Sequence, residues 1–216
     1  MASSSDAKQR RYRPPANDEE RLLVKRVSGL AHAGAAGALK KIGFLSDREL
    51  ELAVAAANPS GAAMRAFGGY ENAERCVLAF SGSMEMLSDE VFEISCVRLE
   101  VHGGAARLTH RDYLGALMSL GLTRETLGDI LPDSKGALLY ARQAAARCVV
   151  NELTSVGRQS VSCHFSEEAP QQIHERDERR VTVASLRLDA VLSAMLKLSR
   201  ADACTLIRSG AVSINH

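Results

Sequence analysis

The sequence predicts an α+β protein with an N-terminal helical region, a small central α+β domain and a C-terminal module built on a helix hairpin. Three observations lead there. Residues 18 to 60 are rich in helix formers and contain a capping box. From residue 76 onward, period-two stretches alternate with helical periodicity. A polar segment, 166 to 180, then separates this region from a last stretch carrying two helical apolar faces. The boundaries that follow are 1–17, 18–75, 76–165, 166–180 and 181–216.

The first 17 residues hold four basic side chains, one acid and no apolar core. They exclude a secretory signal and read as a disordered basic tail, with a short organelle transit peptide as the alternative. Leu22, Leu23, Lys25 and Arg26 suggest a first helix. Ser46 and Glu49 cap a second, with Leu50, Val54 and Ala57 at roughly helical spacing, and it stops before Asn58-Pro59. The Gly-Ala stretch 33–38 reads as a linker or a weak helix.

Gly68-Gly69 precedes a strand at Cys76 to Phe80, and residues 91 to 102 alternate well enough for another. Thr109 and Asp112 form a second capping box, opening a helix with Leu114, Leu117 and Met118 on its apolar face and Gly121 at its close. Residues 127–133 and 136–141 read as a hairpin. A helix follows from about Arg142 to Leu153, with Ala145, Cys148, Val149 and Leu153 on one face, and a strand ends near 165. Two strands, a helix, two strands, a helix and a strand make a small sheet with helices on one face.

In the last module Val181 to Val183 read as a short β run. Leu188, Val191, Leu192 and Met195 form one helical face, Ser199 caps a second helix, and Ala203, Leu206 and Ile207 line it before Gly210. Arg187, Lys197, Arg200 and Arg208 remain outside, against Asp189 and Asp202. Arg200 in the first turn adds to the positive helix N-terminus, which together favour a phosphate. Arg208 lies eight residues on, about 80° round and two turns along, so both can meet one backbone. On charge alone, an ordinary solvated face is equally open.

Composition narrows the function classes. The chain carries 27 Lys+Arg against 26 Asp+Glu, so any basic surface is local. Aromatics are 4% with no Trp, which leaves little for a base-stacking platform. Five dispersed cysteines without a CxxC motif suggest free thiols in a reducing compartment and argue against structural zinc. No apolar run approaches the roughly 20 residues of a membrane helix.

The run RLDAVLSAMLKLSRADACTLIRSGAVSIN resembles the S4 RNA-binding domain at Leu188, Asp189, Leu198, Ser199, Arg200, Ala203, Ile207, Gly210, Val212 and Asn215. In that family the hairpin docks on structured RNA and further strands follow, so the resemblance implies a module truncated here, with Val212 and Ile214 on a partly open edge. FGGYENAER at 67–75, LTHRDYLGALMSLGLTRETLGDIL at 108–131 and NELTSVGRQSVS at 151–162 are similar to blocks of the YlmH family, in the same order. That resemblance implies an N-terminal helical region, a central RNA-binding domain and a C-terminal S4 domain. It also implies attachment to the large ribosomal subunit beside a peptidyl-tRNA, in ribosome-associated quality control.

The expectation is a non-catalytic, monomeric protein that binds rRNA and tRNA without cofactor, metal, DNA or membrane, in the bacterial cytoplasm or the chloroplast stroma, with the Ser-rich start leaning toward the plastid. Arg187, Lys197, Ser199, Arg200, Arg208, Arg111 and Arg75 are its candidate RNA contacts. GGYENAER is either a ribosome contact or a glycine turn with Glu71 and Arg75 paired at i, i+4. Arg124 and Arg158 are RNA contacts or plain surface charges. Two other classes compete. One is an RNA-modifying enzyme: Arg187-Leu188-Asp189 is similar to the catalytic triplet of pseudouridine synthases, though Asp189 is more simply a helix-start charge, and no glycine-rich loop supports a methyltransferase. The other is a protein-binding module using the N-terminal helices and the acidic linker.

Overall fold

The computed structural model describes residues 13–103, 108–170, 181–209 and 211–212. The chain divides into two compact units, Met1–Pro170 and Gln171–His216.

The first unit opens with α1 (Asp18–Ala35), capped by Asn17, whose side chain accepts from the Glu20 N–H at 2.8 Å. Gly37, at φ +98°, ends it. Next comes β1 (Lys40–Leu45), then α2 (Asp47–Ala57), begun by the Ser46/Glu49 capping box. β2 (Ala63–Phe67) and β3 (Cys76–Ser81) complete a three-stranded antiparallel sheet in the order β1-β3-β2. Val27 and Ala31 of α1 and Ala53 and Ala57 of α2 pack on one face of it against Ile42, Leu78 and Phe80. Phe44, Val77 and Ala79 face the other way, with Leu87 and Phe92.

The region 18–75 is therefore not helical alone, and the boundary at 76 cuts through its sheet. KKIGFL sits between helix-favouring neighbours and has no local strand partner; its ladder is with residues 76–80, from Lys40↔Phe80 to Leu45↔Cys76. Only that long-range pairing makes it a strand.

After a short turn that Glu93 ends at φ +51°, β4 (Ile94–Val101) begins the second sheet. α3 (His110–Ser119), β5 (Leu127–Pro132), β6 (Gly136–Arg142), α4 (Gln143–Glu152), β7 (Ser155–Val156) and β8 (Gln159–Phe165) follow. The five strands lie in the order β5-β6-β4-β8-β7, every pairing antiparallel. Val97, Leu99 and Val101 of β4 and Leu139 and Ala141 of β6 pack beneath Tyr113 and Leu117 of α3 and Ala145, Ala146 and Val149 of α4. Both helices lie on one face, as the alternation predicts, but β3 belongs to the other sheet.

The segment after β8 starts as part of this sheet. Ser166 donates its N–H to the Cys96 carbonyl at 3.0 Å, and Glu168 pairs with Arg98, which is 5% exposed and also holds Asp133 at 2.5 Å. The predicted linker 166–180 is thus tied down at its first residues.

In the second unit, α5 (Leu188–Leu196) and α6 (Arg200–Arg208) are joined by a short turn and pack on each other. Residues 181–183, expected as a β run, form no strand among the described residues. Gly210, the expected helix stop, and Ile214 and Asn215 of the expected closing strand lie outside the described residues.

Candidate nucleic-acid interface

The hairpin turn is built by its own sequence. Lys197 takes the left-handed conformation at φ +55° to end α5, and the Ser193 hydroxyl donates to the Leu198 carbonyl at 2.7 Å. Ser199 then caps α6: its hydroxyl accepts from the Asp202 N–H at 3.1 Å and donates to the Asp202 carboxylate at 2.6 Å. Ser199 is thus a cap first, and its hydroxyl proton is already engaged.

Asp189 organises the charge. It is 9% exposed and accepts from Arg187 Nε at 3.0 Å and from Arg200 Nη2 at 2.9 Å, joining the start of one helix to the start of the next. Two guanidiniums on one carboxylate leave a local charge of +1, held rigidly, with both arginines largely exposed. Lys197 and Arg208, also exposed, make no ion pair among the described residues. The cationic face set against Asp189 and Asp202 in the sequence is thus an oriented arginine pair on Asp189, with Lys197 and Arg208 making no ion pair among the described residues.

The Asp189 carboxyl is held below its usual range, chiefly by the hydrogen bond from Arg187, against the opposing effect of burial, with a further contribution from Arg200. A depressed folded-state pKa stabilises above the unfolded value of about 3.9, and the stabilisation disappears as pH falls through the folded value. The clamp is expected to stay closed at pH 5 and to open only below about pH 4. An NMR titration of the Asp189 carboxyl with a midpoint at or above the ordinary aspartate value would contradict this.

In the first unit, Arg111 lies in the opening turn of α3. Thr109 and Asp112 form the reciprocal cap there, with both the Thr109 N–H and hydroxyl donating to Asp112 Oδ2 at 2.7 Å. Asp112 is therefore occupied by the cap, and Arg111 is exposed beside it. The β7–β8 turn adjoins this end: a Cβ on Gly157 would stand 3.6 Å from the Leu108 side chain, which places the exposed Arg158 turn near the start of α3.

GGYENAER turns at Gly69, at φ +101°, but without the expected Glu71–Arg75 pair. The loop folds onto Asp129 of β5, which is 7% exposed. Asp129 accepts from the Tyr70 hydroxyl at 2.7 Å, the Glu74 N–H at 2.7 Å and the Arg75 N–H at 3.0 Å. Burial, then the Asp129 carboxylate, raise the Tyr70 pKa and keep its hydroxyl protonated. The Tyr70 ring packs on Tyr140 at 4.7 Å, and Gly69 is required there because a Cβ would come within 2.5 Å of the Tyr140 ring. Arg75 does not pair with Glu71. Its Nε donates to the Leu127 carbonyl at 3.1 Å, and its Nη2 donates to the carbonyls of Phe44 at 2.9 Å and Arg124 at 3.1 Å. Arg75 was expected as an RNA contact; its Nε and Nη2 face protein carbonyls. Asp129, which makes the loop's geometry possible, carries no sequence signal because its partners lie more than fifty residues away.

Beside the loop lies an open groove of about 610 Å³, lined among others by Arg65, Phe67, Asn72 and Cys76. Arg65 is engaged by Asp89 at 2.5 Å and lies over the Phe67 and Phe92 rings. Burial pushes the Cys76 thiol up to about 11, so it is no nucleophile at neutral pH. Among the described residues no three His, Cys, Asp or Glu side chains converge as metal ligands, and no helix is long and apolar enough to cross a membrane.

Comparison with known proteins agrees with this architecture. Residues 88–169 match a family described as a putative RNA-binding domain in YlmH. These residues take in the five-stranded sheet with α3 and α4. A solved structure, the cell division protein ylmH from Streptococcus pneumoniae, superposes with a TM-score of 0.58 at 18% identity, covering 72% of this chain and 95% of that one, which is a likeness of fold. The ribosome-associated protein quality control protein P2 of Bacillus subtilis (strain 168) is 31% identical over 179 residues, 82% of this chain and 70% of the relative. With that identity extending over most of both sequences, the chain belongs to the YlmH family.

Proposed function

We propose that this chain is a non-catalytic RNA-binding protein that attaches to structured rRNA, and to tRNA beside it, on the large ribosomal subunit in ribosome-associated quality control. The observation that carries the reading is the family match over residues 88–169 together with a relative named for ribosome-associated quality control. The hairpin supports it physically. Arg187 and Arg200, fixed on Asp189, with Lys197 and Arg208 beside them, form a pre-oriented cationic edge of the kind that meets phosphates of a folded RNA by shape. In this reading residues 181–216 act as an S4-type module, Arg111 adds a contact from the first unit, and the protein acts as a monomer where ribosomes are found, in the bacterial cytoplasm or the chloroplast stroma.

The engagement of Asp189 also weighs against a modifying enzyme. A catalytic carboxylate must reach its substrate, and this one is buried under two guanidiniums. Conversion of a test rRNA by the purified protein, lost in Asp189→Asn, would reverse that conclusion.

The test is co-sedimentation with purified large ribosomal subunits across a salt series. The double variant Arg200→Ala/Arg208→Ala is expected to bind more weakly and to flatten the salt dependence by about two charges, since each phosphate contact contributes roughly 0.9 to the slope. An unchanged slope would remove the hairpin from the interface.

A further inference from the structure

Arg75 and Arg124 come together where β1, the start of α2 and the turn before β5 converge. Arg75 Nη2 donates to the Arg124 carbonyl at 3.1 Å, so the residues are in direct contact. Arg124 Nη1 is shielded from solvent and has no hydrogen-bond partner, while the residue as a whole remains partly exposed. Neither guanidinium makes an ion pair among the described residues.

The surrounding carboxylates are engaged elsewhere. Glu49 Oε2 accepts from the Ser46 N–H at 2.8 Å and the Ser46 hydroxyl at 2.7 Å. Asp129 is occupied by the GGYENAER loop, and Glu125 faces Arg26 at 3.6 Å. Burial first, and then the neighbouring charge of Arg124, lower the Arg75 pKa, with the charges of Glu49 and Asp129 opposing. The Arg75 guanidinium therefore meets the Arg124 backbone and feels the Arg124 charge, and among the described residues neither side chain has an ion pair. Half-buried charges are ordinarily paired, and a shielded donor without a partner calls for a physical reason. A partly exposed guanidinium with no ion pair gains most from an oxyanion, which meets it on its exposed side.

We propose that Arg124, backed by the fixed charge of Arg75, forms an anion site for a phosphate group of the RNA backbone. The inference rests on the RNA-binding reading above and adds a contact in the first unit that the hairpin does not supply. Arg124 is the ligand. Arg75, its Nε and Nη2 donating to carbonyls, is a positioning residue that supplies charge.

Two measurements on the full chain test this. In the first, the thermal midpoint is compared in inorganic phosphate and in chloride at matched ionic strength, for the natural protein, Arg124→Gln and Arg124→Lys. Saturating phosphate is expected to raise the natural midpoint by about 2–4 °C, to leave Arg124→Gln unmoved and to raise Arg124→Lys in part. Among the described residues the Arg124 side chain makes no hydrogen bond, so neither variant removes one. In the second, binding to purified large-subunit rRNA is followed against salt, and Arg124→Gln is expected to reduce the slope by about one. An equal phosphate shift in Arg124→Gln overturns the site. A shift lost in that variant with rRNA binding unchanged reveals an adventitious ion only and overturns the RNA assignment. If the natural protein itself ignores rRNA, the reading of function falls, and the RNA assignment with it, while the phosphate comparison still judges the anion site.

Discussion

Gly136→Ala is expected to destabilise the first unit by roughly 3–5 kcal/mol, combining an overpacking cost of about 1–3 kcal/mol with a backbone cost of similar size. Gly136 begins β6 at φ +153°, opposite Glu100 of β4. A Cβ there would stand 1.9 Å from the Leu99 carbonyl oxygen and 3.0 Å from its carbon. The obstacle is the backbone of the central strand, which no rotamer change can clear. Relief requires opening the β4–β6 ladder over the core beneath α3 and α4. Urea unfolding followed by far-UV circular dichroism reads the loss directly, and a midpoint within experimental error of the natural protein would show that the β5–β6 turn absorbs the methyl group.

Asp129→Ala is expected to cost about 3–5 kcal/mol, because it leaves a hydroxyl and two backbone N–H groups without their acceptor and each buried orphan costs roughly 1–3 kcal/mol, in part relieved by water. The affected donors are the Tyr70 hydroxyl and the N–H groups of Glu74 and Arg75. Asp129→Asn keeps one acceptor oxygen but turns an NH₂ toward a donor, so its loss should be smaller. The 4.7 Å packing of Tyr70 on Tyr140 gives a second readout in near-UV dichroism, which the absence of Trp leaves uncluttered. A loss below about 1 kcal/mol in the alanine variant would mean the loop is held by packing alone.

Much of the fold was legible where the signal is local. The capping boxes Ser46/Glu49 and Thr109/Asp112 mark the starts of α2 and α3, and both are formed. The hairpin β5–β6 and the helix α4 fall where the sequence puts them, because turn chemistry and a helical stripe are read within a few residues. What failed was pairing at a distance. β1 was hidden among helix formers, and β3 was assigned to the wrong sheet, because the choice between two sheets is made by partners far along the chain.

The candidate site divides the same way. Ser199 at the start of α6 and the cationic positions around it are visible in the sequence, because the cap and charge patterns are local. That Asp189 would join Arg187 to Arg200 required the second helix to fold back on the first. The specific phrase GGYENAER identified the family but not its own physical role.

By itself, then, the sequence determined the α+β class, the helix starts and stops, the cationic composition of the hairpin and the resemblance to the YlmH family. These rest on residues a few positions apart, where backbone preference and side-chain reach decide the outcome. Only the tertiary structure decided that Asp129 anchors the GGYENAER loop, that Arg75 is turned onto three carbonyls, and that Arg124 stands beside it with an unpaired donor. Those facts depend on desolvation and on hydrogen bonds between groups that chain folding brings together, and no local pattern encodes which buried donor will find its acceptor.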